Sequence, residues 1–231
     1  YHLASMLAIP SEGNPRESVE TNMIGMFNLL EAARLNSVEK FIFASSIATF
    51  GEEVAQIGIV DDKTIQRPIG IYGVTKVSAE LLGRYFKRKY NLDFRCIRLP
   101  AVMGPGVKEK NVSVYNSWAV ERAIEKVPYD IFVAPEIKCP IVYFKDAVRS
   151  FIEIKNAPLE NIKTVCYNIV GMHPVPSAGF LREKILEHIP DAQIGFKPEE
   201  YPMAHHSPRN NIKWDDSAAH KEWNWSIQYD M

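Results

Sequence analysis

Apolar and polar positions along the first half of the chain predict helices that alternate with short buried strands. Over residues 16–36, apolar side chains recur three and four positions apart, which is typical of a helix covered on more than one side. Residues 40–44 form a short apolar run, the pattern of a buried strand. A second helix is predicted over 71–90, and a second strand over 94–99 stops at Pro100. This alternation predicts a parallel sheet with helices on both faces.

The second half of the chain has shorter and less regular elements. Ser177 is suited to cap the N-terminus of a helix that extends to His188. Further helices are predicted over 115–126, 146–154 and 215–222. Short strands are predicted over 131–133, 141–143, 165–170 and 192–196.

Composition and charge place the chain among globular proteins. Of its 231 residues, 46% are hydrophobic and 24% are charged, and the formal net charge is -1. This balance argues against nucleic acid or an acidic membrane surface as a partner. No apolar run approaches the roughly 18 residues that span a bilayer. The three cysteines, Cys96, Cys139 and Cys166, are dispersed and odd in number, so we expect reduced thiols and a cytoplasmic protein.

Tyr72 and Lys76 form the strongest chemical signal, because the spacing i, i+4 places both side chains on one face of the predicted helix. A phenol with a pKa of about 10 is a poor base at neutral pH. A neighbouring ammonium favours the phenolate, so we expect Lys76 to lower the pKa of Tyr72. Such a tyrosine can exchange a proton when a hydroxyl and a carbonyl interconvert. An isolated Tyr-x-x-x-Lys is also compatible with a solvated helix face.

Further motifs stand in order around this pair. They are His2-Leu3-Ala4, Thr21-Asn22-Met23-Ile24-Gly25, Phe43-Ala44-Ser45-Ser46 and Arg98-Leu99-Pro100. In this order, and over essentially the whole chain, they resemble the extended class of the short-chain dehydrogenase/reductase family, the NAD-dependent epimerases and dehydratases. The resemblance implies a Rossmann-like, doubly wound parallel sheet with a smaller C-terminal α/β region that binds the substrate.

The resemblance also implies catalytic roles. Tyr72 exchanges the proton of the substrate hydroxyl, and Ser46 hydrogen-bonds the reacting oxygen. Lys76 lowers the pKa of the phenol and holds the ribose of the nicotinamide. Hydride transfer belongs to the cofactor, while the protein supplies position and electrostatics.

The implied cofactor is NAD, with NADP left open. The resemblance assigns its binding to Ala4, Asn22, Ser45, Tyr72, Lys76, Leu99 and Pro100. Ser45 has an alternative role as a cap at the strand end. The expected partner is a small-molecule substrate, which the resemblance places against Ser46, Tyr72 and Ser113.

The glycine-rich turn that receives the pyrophosphate in this family does not occur in the sequence. By comparison with the family, about three strands and the residue that selects NAD or NADP precede Tyr1. We therefore expect a truncated or split chain that lacks tight dinucleotide binding, and a micromolar affinity for NAD would contradict this expectation.

Individual positions distinguish the branches of the family. Ile47 and Ala48 stand where a 4,6-dehydratase carries an acidic pair. Ala101 and Gly106 replace the asparagine and arginine with which epimerases meet a diphosphate, a group that needs such partners. A sugar-nucleotide epimerase therefore fits less well, although it stays open as an alternative.

The L-threonine 3-dehydrogenase branch fits better, with segments similar to 92–100, 132–135, 167–172 and 215–230. Its substrate pocket differs, because Ala8, residues 111–115 and Ser207 replace a serine, a Gly-Thr-Thr-Asp-Tyr segment and a tryptophan. Each polar partner left buried and unpaired costs roughly 1–3 kcal/mol. Another small hydroxy compound as substrate, or an inactive relative, therefore stays open.

Three expectations concern organisation. Residues 1–103 form the remaining part of the NAD-binding domain, with later returns around 140–170, and 104–231 mainly bind the substrate. The resemblance implies a homodimer through the helices that carry Asn22 and Tyr72. We expect no metal site, because the adjacent His205 and His206 lack a supporting cluster of ligands.

Overall fold

A computed structural model describes residues 1–108, 110–199 and 212–230. Its α-helices are α1 (Ala8–Gly13), α2 (Pro15–Ser18), α3 (Gly25–Leu35), α4 (Val54–Ile57), α5 (Ile71–Tyr90), α6 (Tyr115–Ile124), α7 (Phe144–Asn156), α8 (Ala178–His188) and α9 (Ser217–Trp223). Its strands are β1 (Lys40–Ser46), β2 (Ile59–Val60), β3 (Asp93–Leu99), β4 (Ala101–Met103), β5 (Tyr129–Ile131), β6 (Ile141–Tyr143), β7 (Cys166–Asn168), β8 (Ile194–Phe196) and β9 (Lys213–Trp214).

Every pairing between these strands is parallel. The main sheet has the order β1-β3-β7, with Ser45 opposite Arg98 and Cys96 opposite Cys166. Three further pairs join β2 to β9, β4 to β6, and β5 to β8. The predicted α/β fold with a parallel sheet is confirmed.

Alternating side chains of β1 bury both faces of the main sheet. Phe41 and Phe43 point to one face, where they pack with Phe94 and with apolar residues of α3 and α5. Ile42 and Ala44 point to the other face, against α7 and α9. Because strand side chains alternate with a period of two, a strand covered by helices on both sides reads as a continuous apolar run.

The predicted helix over 16–36 is present, with an irregularity in its middle. Residues Val19–Ile24 form a π-helical turn between α2 and α3. A π turn inserts an extra residue into the helix and often marks a functional position. The hydrophobic pattern predicted the helix but gave no sign of this turn.

A separate apolar cluster lies among α6, α8, β5 and β8. The predicted cap is confirmed, since the Ser177 hydroxyl accepts a hydrogen bond of 3.1 Å from the Phe180 amide. The strand expected over 131–133 is wrong, because β5 covers Tyr129–Ile131 instead. Phe132 and Val133 are apolar because they are buried in this cluster rather than because they belong to a strand. The division of the chain near residue 103 stays a prediction.

The segment between β1 and α5 is fastened to the C-terminal part of the chain. Strand β2 pairs with β9 through Ile59 opposite Lys213 and Val60 opposite Trp214. The rings of Phe50 and Trp214 meet edge to face, with centroids 5.8 Å apart. This long-range pairing fixes the loop that precedes Tyr72.

Helices α3 and α5 keep several apolar side chains in contact with solvent. Phe27 is 44% exposed and Leu81 is 60% exposed.

Within the described part of the chain, no helix combines the length and apolar character needed to cross a membrane.

Two glycines on helices have opposite packing environments, and we expect alanine to act in opposite directions. At Gly83 an added Cβ lies only 2.2 Å from the Phe94 ring, so Gly83→Ala forces α5 away from β3. Overpacking of this kind destabilises a protein by about 1–3 kcal/mol. At Gly25 the nearest atom is a carbonyl oxygen 3.8 Å away, so Gly25→Ala gains helix propensity of up to about 1 kcal/mol.

Urea unfolding of the two variants measures this contrast. Equal effects of Gly83→Ala and Gly25→Ala on the free energy of unfolding would contradict the tight packing of α5 on β3.

Candidate active site

A cavity of about 420 Å³ lies where the carboxyl ends of β1 and β3 meet the start of α5. Ligands of open α/β sheets bind at this end of the strands. Ser46, Tyr72 and Lys76 all line the cavity, as do Leu99 and Pro100. The structure thus brings together residues that are up to 54 positions apart in the chain, from 46 to 100.

The side chains of Ser46 and Tyr72 are neighbours, close enough for the Ser46 hydroxyl to lower the pKa of the phenol. Ser46 is the last residue of β1, and its extended backbone lets its hydroxyl accept a bond of 3.1 Å from the Ala48 amide. Tyr72 is the second residue of α5. The end of the strand and the start of the helix therefore place the two hydroxyl groups together.

The pKa of Tyr72 differs from the sequence expectation. Burial of the phenol raises its pKa to about 12, and the neighbouring Ser46 hydroxyl opposes this shift only in part. The expected lowering of this pKa by Lys76 is wrong for this structure, because burial removes the hydration that favours the phenolate. The ammonium lies 5.4 Å from the centroid of the Tyr72 ring, over its face.

Lys76 is almost fully buried, with 4% of its surface exposed. Its ammonium donates a hydrogen bond of 2.8 Å to the Ala44 carbonyl and lies 4.8 Å from the centroid of the Phe43 ring. Burial lowers the pKa of Lys76 to about 8, while the negative charge of Glu80 acts in the opposite direction. An ammonium has three donors, so two stay available for a ligand within the described part of the structure.

Asn22 lies in the π turn and links three segments through its side-chain amide. Its oxygen accepts a bond of 2.8 Å from the Met6 amide, and its nitrogen donates to the Met6 carbonyl at 3.0 Å. The same nitrogen donates to Thr75 on α5 at 3.2 Å. Asn22 therefore holds the loop after the first residues against the helix that carries Tyr72, and it does not line the cavity.

Ser45 faces a charged residue that the sequence reasoning did not consider. Its hydroxyl donates a hydrogen bond of 2.6 Å to Glu80, which pairs with Arg98 at 2.8 Å. The hydroxyl predicted for the cofactor is thus committed to a carboxylate, although Ser45 also lines the cavity. Glu80 lies eight positions after Tyr72 on the same face of α5. This spacing in the sequence could have identified Glu80 as a neighbour of the site.

The other residues assigned to the cofactor occupy different places. Leu99 and Pro100 form an apolar wall where β3 ends. Leu3 and Ser5 line the cavity. Ala4, which lies between them, is exposed and does not line it.

The wall opposite α5 contains the position assigned to the substrate. Ser113 lines the cavity, and its hydroxyl donates a bond of 3.2 Å to the side-chain oxygen of Asn111. Ala8 and Val112 line the same cavity, while Tyr115 is almost fully buried beside them. The departures from the threonine dehydrogenase pattern at 8 and 112 therefore fall on the cavity wall. Ser207, the third departure, lies outside the described residues.

A second, polar cavity of about 610 Å³ lies beside the loop that precedes α5. Asp62 lines it, and its carboxylate accepts a hydrogen bond from the Asn168 amide. Burial raises the pKa of Asp62 to about 7, although Asn168 and Arg98 oppose this shift. Asp62 therefore titrates near neutral pH.

Metal ligation finds no support among the residues that the structure describes, since they include no group of three or more His, Cys, Asp or Glu that could hold an ion. His205 and His206, considered in the sequence, lie outside those residues.

Comparisons with known proteins agree with the motifs. The sequence model of the NAD-dependent epimerase/dehydratase family matches residues 1–169. The mitochondrial L-threonine 3-dehydrogenase of Bos taurus is 30% identical over 239 residues, which cover 100% of this chain and 61% of that protein. The chain thus spans about three fifths of the length of this curated relative.

Two solved structures have the same fold. L-threonine dehydrogenase from Clostridium difficile superposes with a TM-score of 0.89 at 32% identity, over 99% of this chain and 71% of that one. UDP-glucose 4-epimerase from Thermotoga maritima superposes with a TM-score of 0.82 at 25% identity, over 98% of this chain and 71% of that one. The Rossmann-like fold expected from the sequence is confirmed.

Asn22→Ala removes the amide that joins the loop at Met6 to α5, so we expect it to destabilise the protein by about 1–3 kcal/mol. Asn36→Ala is the matched control, because its amide is exposed and, among the described residues, bonds only Ala32 of its own helix. We expect a change within about 0.5 kcal/mol. Thermal or urea unfolding compares the two. A similarly small effect of both variants would show that the Asn22 contacts do not hold the loop.

Asp62→Asn tests the raised pKa through the pH dependence of stability. A carboxyl group with a raised pKa binds its proton more tightly in the folded protein, so stability is lost as pH rises from 3.8, the ordinary value, to about 7. Asparagine avoids this loss and can still accept from the Asn168 amide. We compare the free energy of unfolding of the variant with that of wild type at each pH. We expect this difference to favour the variant by roughly 1–2 kcal/mol more at pH 8 than at pH 4. Urea unfolding at both pH values measures the difference, and a gain that is the same at pH 4 and pH 8 would refute the assignment.

Proposed function

Because the chain belongs to the NAD-dependent epimerase/dehydratase family, we propose that it oxidises a secondary alcohol of a small polar metabolite to the ketone with NAD, in the manner of an L-threonine 3-dehydrogenase. The observation that carries this proposal is the meeting of Ser46, Tyr72 and Lys76 at one cavity. Together they supply a hydroxyl to hold the reacting oxygen, a phenol to exchange its proton and a buried cation.

The residues present fit a nicotinamide cofactor. The buried Lys76 ammonium keeps two donors for ribose hydroxyl groups, since the Ala44 carbonyl takes the third. Leu99 and Pro100 offer an apolar wall for a planar ring. When bound there, NAD supplies the acceptor for the hydride.

The chemistry of the chain itself concerns the proton and the position of the alcohol. Ser46 donates a hydrogen bond to the substrate oxygen and keeps it next to the Tyr72 hydroxyl. Tyr72 takes up the hydroxyl proton during oxidation and returns it during reduction. Since burial raises the pKa of Tyr72 to about 12, its protonated form predominates at neutral pH. Oxidation, which needs the phenolate, is therefore favoured as the pH rises, and Lys76 stabilises the phenolate when it forms.

The substrate is a small hydroxy compound, with L-threonine as the first candidate. The similarity to threonine dehydrogenases from Bos taurus and Clostridium difficile supports it. Ser113 offers a polar contact on the wall opposite α5. Because Ala8 and Val112 add apolar surface to the same wall, a hydroxy acid without the amino group of threonine is the next candidate.

An epimerase reaction is the second candidate, and the similarity to UDP-glucose 4-epimerase favours it. The same Tyr72 and Lys76 chemistry would serve, with the cofactor regenerated in place. Ala101 at the cavity weakens this alternative, because its methyl group cannot donate a hydrogen bond to a diphosphate. Net accumulation of NADH separates the two reactions.

The protein in its natural full length, assayed for NAD reduction with L-threonine, tests the proposal. We expect turnover that falls by about 100-fold or more in Tyr72→Phe, because the phenylalanine cannot exchange a proton. Tyr85→Phe is the matched control, since Tyr85 is an exposed tyrosine on the same helix, and we expect it to keep wild-type activity.

Turnover that survives in Tyr72→Phe would refute the catalytic role of Tyr72. NAD binding without turnover would reject threonine and direct the assay to other hydroxy acids and to sugar nucleotides. An absence of both binding and turnover would favour an inactive relative.

The homodimer, the cytoplasmic location and the choice of NAD over NADP stay predictions. The exposed apolar side chains of α3 and α5, Phe27 and Leu81 among them, support a dimer formed through these two helices.

A further inference from the structure

The end of β1 is fastened to α5 by contacts from three consecutive residues. The Ser46 hydroxyl lies beside Tyr72, the Ala44 carbonyl accepts from Lys76 at 2.8 Å, and Ser45 donates to Glu80 at 2.6 Å. Positions 72, 76 and 80 are four residues apart, so they form one stripe along the helix. The first two contacts belong to the proposed chemistry, whereas the third involves a residue to which no role has been given.

Glu80 is held more firmly than an ordinary helix carboxylate. It is 1% exposed, and Arg98 approaches it through two nitrogens, at 2.8 Å and 3.0 Å. Gln66 donates a further bond at 3.1 Å from the loop before α5. Arg98 is the direct neighbour of Ser45 across the sheet, so the carboxylate joins β1, β3, the loop and α5 at one point.

We propose that Glu80 is a positioning residue for the reaction: held by Arg98, its carboxylate fixes Ser45 and thereby keeps the adjacent Ser46 within reach of the Tyr72 hydroxyl. This inference rests on the proposed function. The hydrogen bond from Ser45 sets the position of the last residue of β1, and a misplaced catalytic group lowers the rate steeply even when substrate binding is unchanged.

Ser45→Ala tests the positioning role, because it removes the bond to Glu80 and leaves the Glu80–Arg98 pair in place. We expect kcat to fall about tenfold, as for the loss of one hydrogen bond, while KM for NAD and for the alcohol stays within about twofold. Ser150→Ala is the matched control, since its buried hydroxyl bonds, within the described part of the chain, only the Ala147 carbonyl of its own helix at 2.6 Å. We expect wild-type kcat for this variant. Equal kcat values in the two variants would overturn the positioning role.

A readout without catalysis separates this inference from the proposed function. The ¹³Cζ chemical shift of Tyr72 reports the surroundings of its hydroxyl, which include Ser46, and we expect Ser45→Ala to change it while Ser150→Ala does not. Wild-type protein without turnover would refute the proposed function alone. An unchanged Tyr72 signal in Ser45→Ala would refute the positioning role whatever the activity.

Discussion

The close approach of helix α5 to strands β1 and β3 is the constraint on which the cavity depends. Gly73 and Gly83 permit it, since an added Cβ would lie 2.3 Å from the Ala48 carbonyl at the first and 2.2 Å from the Phe94 ring at the second. At this distance Lys76 reaches the backbone of β1 and Glu80 reaches across to β3. Larger residues at the two glycines would lengthen every one of these contacts.

Burial acts in opposite directions on the two groups that would carry the chemistry. It raises the pKa of Tyr72 to about 12 and lowers the pKa of Lys76 to about 8, because each loses the hydration that favours its charged form. The site therefore favours the neutral phenol of Tyr72 and makes Lys76 easier to deprotonate. A bound nucleotide with its own charges would change this balance, which makes the site responsive to its ligand.

The sequence predicted what depends on local pattern. The periodic helices 16–36 and 71–90, the apolar strands and the pair of Tyr72 and Lys76 followed from spacing. The addition of Ser46 to this pair came from the resemblance to a family. Contacts between distant residues left no such pattern, so the pairing of β2 with β9 and the π turn at Asn22 were missed. The pKa of Tyr72 was misjudged because a sequence shows which charge is near but not how much water is lost.

The parallel pairing of β2 with β9 has a consequence for how the chain assembles. Strand β2 begins at residue 59 and cannot form until residue 213 is available to pair with it. Helix α5 and strands β1 and β3, in contrast, all lie within the first 100 positions. Closing a loop of this length is slow compared with local helix formation. During synthesis α5, β1 and β3 therefore have their partners well before the loop in front of Tyr72, which is fixed only when Lys213 and Trp214 have emerged.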